Sequence, residues 1–232
     1  MNRSGNDGTI TLFGWKAQNK SLLLFAGEAY NVEMGITNQL FPQERDETPN
    51  CLFSATPDDT LHFTTPSNPN TAVISDIEAF ANFMRMLGPP TPAPDTPSTV
   101  KGRAAFAKVG CAHCHTPSFT TGKTASGSSK SPSAALSNQQ VNLFYDLLVH
   151  HMGRGLEDGV TQGGAGPDEF RTAPLWGVGQ RVFFLHDGRT SNLVEAIEAH
   201  RSKGSEANQV IEHFHRLKTQ ERQDIVNFLR SL

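Results

Sequence analysis

The last fourteen residues, TQERQDIVNFLRSL, set Ile225, Phe228, Leu229 and Leu232 three and four positions apart, the spacing that gathers side chains on one face of an α-helix. Thr219 is the expected cap of this helix, with acids following in its first turn. The same period runs through SDIEAFANFMRMLG (75–88), where Ile77, Phe80, Ala81 and Met84 form the stripe. Ser75 and Glu78 read there as a capping box and Gly88 as the stop. Leu193, Ile197 and His200 fall at i, i+4 and i+7, so His200 is expected to face the same interior as two aliphatic residues, with Thr190, Ser191 and Asn192 available as caps. STVKGRAAFAKVG (98–110) predicts a short helix ended by Gly110, and Phe144, Leu147, Leu148 and His151 share a helical face, with Met152 beside them, before GRG ends that element. No segment offers a convincing strand pair, so the expected class is mainly α.

Breaks in this pattern divide the chain. GPPTPAPDTPS (88–98) carries five prolines, which remove backbone donors and favour extended chain, so no helix crosses it. It reads as a hinge over 89–98, between a loop-rich helical segment (1–88) and a larger helical domain (99–232). Residues 42–71 are polar, proline-rich and aperiodic, the pattern of a surface loop. The Ser/Thr/Gly-rich stretch 116–140 reads as a flexible insertion.

Composition then excludes several classes of function. The net charge of −3 comes from interspersed signs without a basic stripe, which argues against nucleic acid as a partner. The longest apolar runs, LLLFA (22–26) and VFFL (182–185), are far below the roughly 18 residues of a membrane span. MNRSGNDGTI lacks the apolar region of a secretory signal, so any export signal is expected to have been removed or to lie upstream. Three cysteines are too few for a disulfide scaffold. Cys51, in RDETPNCLF, reads as a bystander.

The other two cysteines stand in KVGCAHCHTPSF (108–119), where Cys111 and Cys114 are three positions apart and His115 follows directly. C-x-x-C-H is the attachment sequence of a c-type haem. Each thiol adds across one porphyrin vinyl group, and the turn carries the imidazole under the iron, with its other ring nitrogen donating to a backbone carbonyl. A structural zinc site needs four ligands, and no further cysteine lies close to a histidine. A thioredoxin-like dithiol wants a strand before the pair and a helix after it, the reverse of this context. Covalent haem also implies a periplasmic location, because bacterial haem c is assembled outside the cytoplasmic membrane. For the second axial position, spacing leaves His200, Met152 and His151 open. His213 and His215, at i and i+2, cannot face one site from a helix.

Several stretches together resemble the bacterial di-haem cytochrome c peroxidase superfamily, most closely its branch of di-haem oxidoreductases assigned as thiol oxidoreductases or peroxidases. They are FGWKAQ (13–18), NVEMGITNQLFP (31–42), FAKVGCAHCHTP (106–117), LVHHMGRGLEDG (148–159), RTAPLWGVG (171–179), FLHDGRTSNLVEAIEAH (184–200) and IVNFLRSL (225–232). The resemblance implies two cytochrome c domains, a peroxidatic haem in the first and an electron-relaying haem in the second. The relaying haem's distal methionine is matched here by His200, which favours His115/His200 ligation and a lower potential than a methionine-ligated iron.

A weak internal repeat sets FGWKAQNKSL (13–22) against FLHDGRTSNL (184–193), aligning Trp15 with His186. By that register the first attachment motif would precede residue 1, making 1–88 the tail of the first domain and 99–232 a complete cytochrome c-like haem domain. One haem c is therefore expected in this chain and a second in the full-length protein. By the same resemblance Trp15 matches the tryptophan between the two haems, and Glu33 the distal acid that assists peroxide cleavage. Arg171 and Arg189 are candidates for haem propionates or for ordinary salt bridges. Trp176 is expected to pack near the ring edge, and Phe106 against the porphyrin or the last helix. The implied function is electron transfer between a small redox protein and the upstream haem domain. The alternatives are a self-sufficient mono-haem carrier and an interaction module whose haem is structural. A thiol enzyme is disfavoured, because both motif thiols would be consumed as thioethers.

Overall fold

The computed structural model describes residues 10–44, 48, 56–60, 74–122 and 134–232. Cys51, most of the aperiodic 42–71 stretch and the centre of the Ser/Gly-rich insertion lie outside these residues. Among the described residues there are six α-helices, α1 (Leu22–Met34), α2 (Asp76–Met86), α3 (Pro97–Val109), α4 (Leu193–Glu198), α5 (Asn208–His215) and α6 (Thr219–Arg230), with short 3-10 turns between some of them. Helix therefore dominates, as the periodicities predict. The chain divides into two compact units, residues 2–88 and 89–232.

Two small sheets correct the expectation of no strand pairing. β1 (Phe119–Thr120) pairs antiparallel with β2 (Gln140–Val141), so the two ends of the Ser/Gly-rich stretch are stitched together. β3 (Val149–His151) pairs antiparallel with β4 (Glu169–Arg171), His150 standing opposite Phe170. This second ribbon replaces the helix that Phe144, Leu147, Leu148 and His151 suggested. Phe144 and Leu147 take positive φ, 52° and 65°, a left-handed backbone that no α-helix propagates. Asp146 then turns the chain into β3 by accepting from the Leu148 amide at 3.0 Å.

In the larger unit the core forms where α3 crosses α6. α3 starts at the Thr96 cap, whose hydroxyl and that of Thr99 each accept the other residue's amide, and it stops at Gly110 with φ 107°. α6 is capped one residue earlier than Thr219: Lys218 holds the cap position and its amide donates to Glu221 at 2.9 Å. Ile225, Phe228, Leu229 and Leu232 are all buried, as their spacing predicts. Phe106 and Phe144 meet Phe228 edge-on, with ring centroids at 5.6 and 5.7 Å, a favoured aromatic geometry. Phe106 thus packs on the last helix.

The smaller unit pairs α1 with α2 over a thin apolar layer of Ala26, Ile77 and Ala81, supplemented by buried polar groups. Ser75 caps α2 as expected, and the buried Asp59 carboxylate accepts from the Asp76 and Ile77 amides at 2.8 and 2.9 Å. The Asn38 amide donates to the Gly27 carbonyl at 2.9 Å. Phe80, predicted for the buried stripe, is 40% exposed.

The α3/α6 crossing yields a direct test. A Cβ on Gly102 would lie 1.9 Å from the Asp224 carbonyl oxygen, whereas one on Gly122 would meet nothing within 4 Å. Gly102→Ala must push two helix backbones apart and is expected to cost roughly 1–3 kcal/mol. Gly122→Ala should be close to neutral. Urea unfolding of both variants checks this, and equal midpoints would refute the close approach.

Candidate functional site

Gly110 supplies the reversal from which the candidate site is built. Beyond it, Cys111–His113 form one 3-10 turn, and the His113 and His115 amides donate to the Gly110 and Cys111 carbonyls, each at 3.0 Å. The turn places both thiols and the following imidazole on one compact feature at the end of α3. Cys111 packs against the main apolar core, and both thiols are partly buried and free of disulfide. Burial pushes the Cys111 thiol up to about 12. Thiol–disulfide exchange needs a thiol with a depressed pKa, so Cys111 is a poor source of thiolate.

His115 turns back toward the helix, its ring 6.3 Å from Phe106. Its Nδ1 lies 3.1 Å from the Phe144 carbonyl, the backbone acceptor a ligand imidazole requires. His200, just past α4, repeats the arrangement with Nδ1 at 2.8 Å from the Ala196 carbonyl. Asn192 caps α4, and Leu193 and Ile197 join the core below His200. Burial holds His115 down at about 4, and the nearby His200 adds to this. His200 is lowered for the same first reason. Both rings are therefore neutral, with Nδ1–H directed at a carbonyl and Nε2 left as the lone-pair nitrogen.

The other candidates for an axial ligand stand differently. His151 is exposed and lies between Asp168, 3.2 Å from Nδ1, and Glu169, 3.5 Å from Nε2. Met152 follows β3 and donates its amide to Asp168 at 2.7 Å. His213 faces the Val109 carbonyl at 3.2 Å while His215 pairs with Glu198, two separate directions. His186, aligned with Trp15 by the internal repeat, stacks on Phe170 at 4.3 Å.

Of the two arginines, Arg189 is held by Asp187 at 2.6 Å and by the Gly155 carbonyl at 2.7 Å. Arg171 lies over the Tyr145 ring, 5.3 Å from its centre. Trp176 is partly exposed. In the smaller unit Glu33 is exposed in the last turn of α1, and Trp15 is 36% exposed.

Sequence reading missed one cluster. His150 Nε2 lies 2.7 Å from Asp146, its Nδ1 2.7 Å from Glu206 and 3.9 Å from Cys114 Sγ. Cys114, Asp146 and His150 also bring thiol, carboxylate and imidazole within 4.8 Å, a set that could hold a metal ion. They are three ligands rather than the four of a structural zinc site. The i, i+4 spacing of Asp146 and His150 was the available signal, although the two meet across a turn into β3 and not on a helix.

The donor set fits a covalently attached haem: two thiols and an imidazole on one turn, and a second neutral imidazole with matching Nδ1 support. No curated protein sequence matches the chain. Among solved structures, it is similar to Kuenenia stuttgartiensis hydrazine synthase pressurised with xenon, at 22% identity and a TM-score of 0.44, over 67% of this chain and 55% of that one. That likeness is too partial to carry an argument. Residues 3–232 match the family model described as "Di-haem oxidoreductase, putative peroxidase". With nearly its whole length matched, the chain belongs to the di-haem oxidoreductase family.

Proposed function

We propose that residues 89–232 form a cytochrome c-like domain that carries one haem c, joined through Cys111 and Cys114 and ligated by His115 and His200, and that it relays electrons. The observation that carries this reading is the paired support of the two imidazoles. His115 and His200 each rest Nδ1 on a backbone carbonyl, at 3.1 and 2.8 Å, and burial keeps both neutral. A neutral imidazole whose Nδ1–H meets a carbonyl keeps its Nε2 lone pair, the atom an iron would take. Bound haem supplies one-electron exchange between ferric and ferrous iron. The protein's part is to fix the ring planes, exclude water with the Phe106/Phe144/Phe228 cluster and anchor the macrocycle edge.

Residues 1–88 we assign as the tail of a first, peroxidatic haem domain whose attachment motif precedes residue 1. The smaller unit supports this: Phe83, Met86 and Leu87 are each about 60% exposed, and among its described residues the apolar core is thin. In this reading Trp15 lies on the electron path between the haems and Glu33 is the distal acid of the first one. Arg171, over the Tyr145 ring, and Arg189, held by Asp187, are both candidates for the haem propionates. The partner is a small redox protein and the location periplasmic; among the described residues no helix is long and apolar enough to cross a membrane. A self-sufficient mono-haem carrier is the second reading, favoured by the self-contained core of the larger unit. A haem-to-protein ratio of two in the full-length protein supports the first reading, and a ratio of one the second.

Expressed with haem c maturation machinery, the chain is expected to keep its haem on a denaturing gel. The double variant Cys111→Ala/Cys114→Ala should lose that stain entirely, and a retained stain would sink the thioether assignment. His200→Ala is expected to turn a low-spin visible spectrum high-spin, whereas an unchanged spectrum removes His200 as ligand. His200→Met should raise the reduction potential, because a thioether favours ferrous iron over ferric. Potentiometric titration of that variant reads the sign directly.

A further inference from the structure

We infer that His150 is a positioning residue of this haem pocket, a clamp that joins the segment supporting His115 to the segment supporting His200 and fixes the charge beside Cys114. The inference rests on the haem reading above and deepens it.

His150 stands in the middle of β3 with both ring nitrogens engaged. On one side Nε2 meets Asp146, two residues after the Phe144 carbonyl that holds His115. On the other side Nδ1 meets Glu206, whose second oxygen accepts from the His151 amide at 3.0 Å and whose own amide donates to the His151 carbonyl at 2.9 Å. Directly before Glu206, the Ser205 hydroxyl donates to the His200 carbonyl at 2.6 Å. Ser202, in the same turn, donates to the Met152 carbonyl at 3.1 Å. One ring thus bridges the two segments that aim the proposed ligands, and it lies 3.9 Å from the sulfur that would join the macrocycle.

An imidazole can donate to two carboxylates only as imidazolium. The Asp146 bond is the first cause that raises His150; the Cys114 thiol comes next, a contribution a thioether would not make, and Glu206 adds to it. Burial works against Asp146 and Glu206 alike, yet both are held below the usual carboxylate range by their bonds to His150. The cluster is one cation between two anions. Removing the cation leaves added negative charge beside the iron, which favours ferric haem. Neutralising one anion does the opposite. A merely structural role predicts no such reversal of sign.

The test is potentiometry on the haem-loaded chain, followed by its visible spectrum, with thermal unfolding alongside. His150→Gln is expected to lower the midpoint potential and Glu206→Gln to raise it, the latter with a low-spin spectrum retained. Shifts of the same sign, or none, overturn the clamp while leaving the haem reading intact. Failure of the wild-type chain to attach haem overturns both. Should His150→Gln not fold, Glu206→Gln, whose side chain is half exposed, decides alone, since absence of an upward shift refutes the inference.

Discussion

A single backbone carbonyl organises the site. The Phe144 oxygen fixes the His115 ring, and it can do so because residue 144 adopts a left-handed conformation. For a bulky L-residue that conformation costs about 1–2 kcal/mol. The expense is offset by the same residue's side chain, which is buried edge-on against Phe106 and Phe228. Strain at 144 and aromatic packing at 144 are therefore two aspects of one constraint. The α3/α6 crossing holds the ring, the ring holds the backbone, and the backbone holds the imidazole.

That coupling also explains which parts of the architecture were legible in the sequence. α3, α4 and α6 bury an apolar stripe on one side, so their periods survive in the residue order, although α6 is capped at Lys218 and not Thr219, α4 ends at Glu198, short of His200, and α3 starts at Pro97, inside the proline-rich stretch. The 144–151 stretch has a helical spacing too, but two positive φ angles and the Asp146 turn override it. Propensity and period describe what a segment does alone, whereas this one is shaped by the ring and carbonyl it must deliver elsewhere. β3 and β4, three residues each, are too short for alternation to register. The motif Cys111, Cys114 and His115 was plain because it is a contiguous pattern of five residues that can be read without knowing the fold. His150 was not, because its importance lies in contacts 4, 36 and 56 positions away.

The two units also differ in what stabilises them. Residues 89–232 close over Phe106, Val109, Phe144, Phe214, Ile225 and Phe228, a contiguous apolar core. Among its described residues the smaller unit buries Lys16, Asn38, Thr11 and Thr37 beside Ala26, Ile77 and Ala81, and leaves Phe80, Phe83, Met86 and Leu87 exposed. Large apolar side chains kept at the surface while polar ones are buried invert the usual distribution. Hydropathy along the chain is blind to this, since both units contain amphipathic helices.

Three histidines of the site show how environment assigns different chemistry to one residue type. His115 and His200 are enclosed by apolar walls and offered only neutral carbonyls, so charge is expelled and a lone pair remains. His150, at the rim, is offered two carboxylates and keeps its proton. The first pair is fit to ligate a metal and unfit to carry charge; the third, engaged by Asp146 and Glu206, is fit to carry charge. Sorting the rings in this way lets a cation stand 3.9 Å from the Cys114 sulfur while the two buried rings stay neutral.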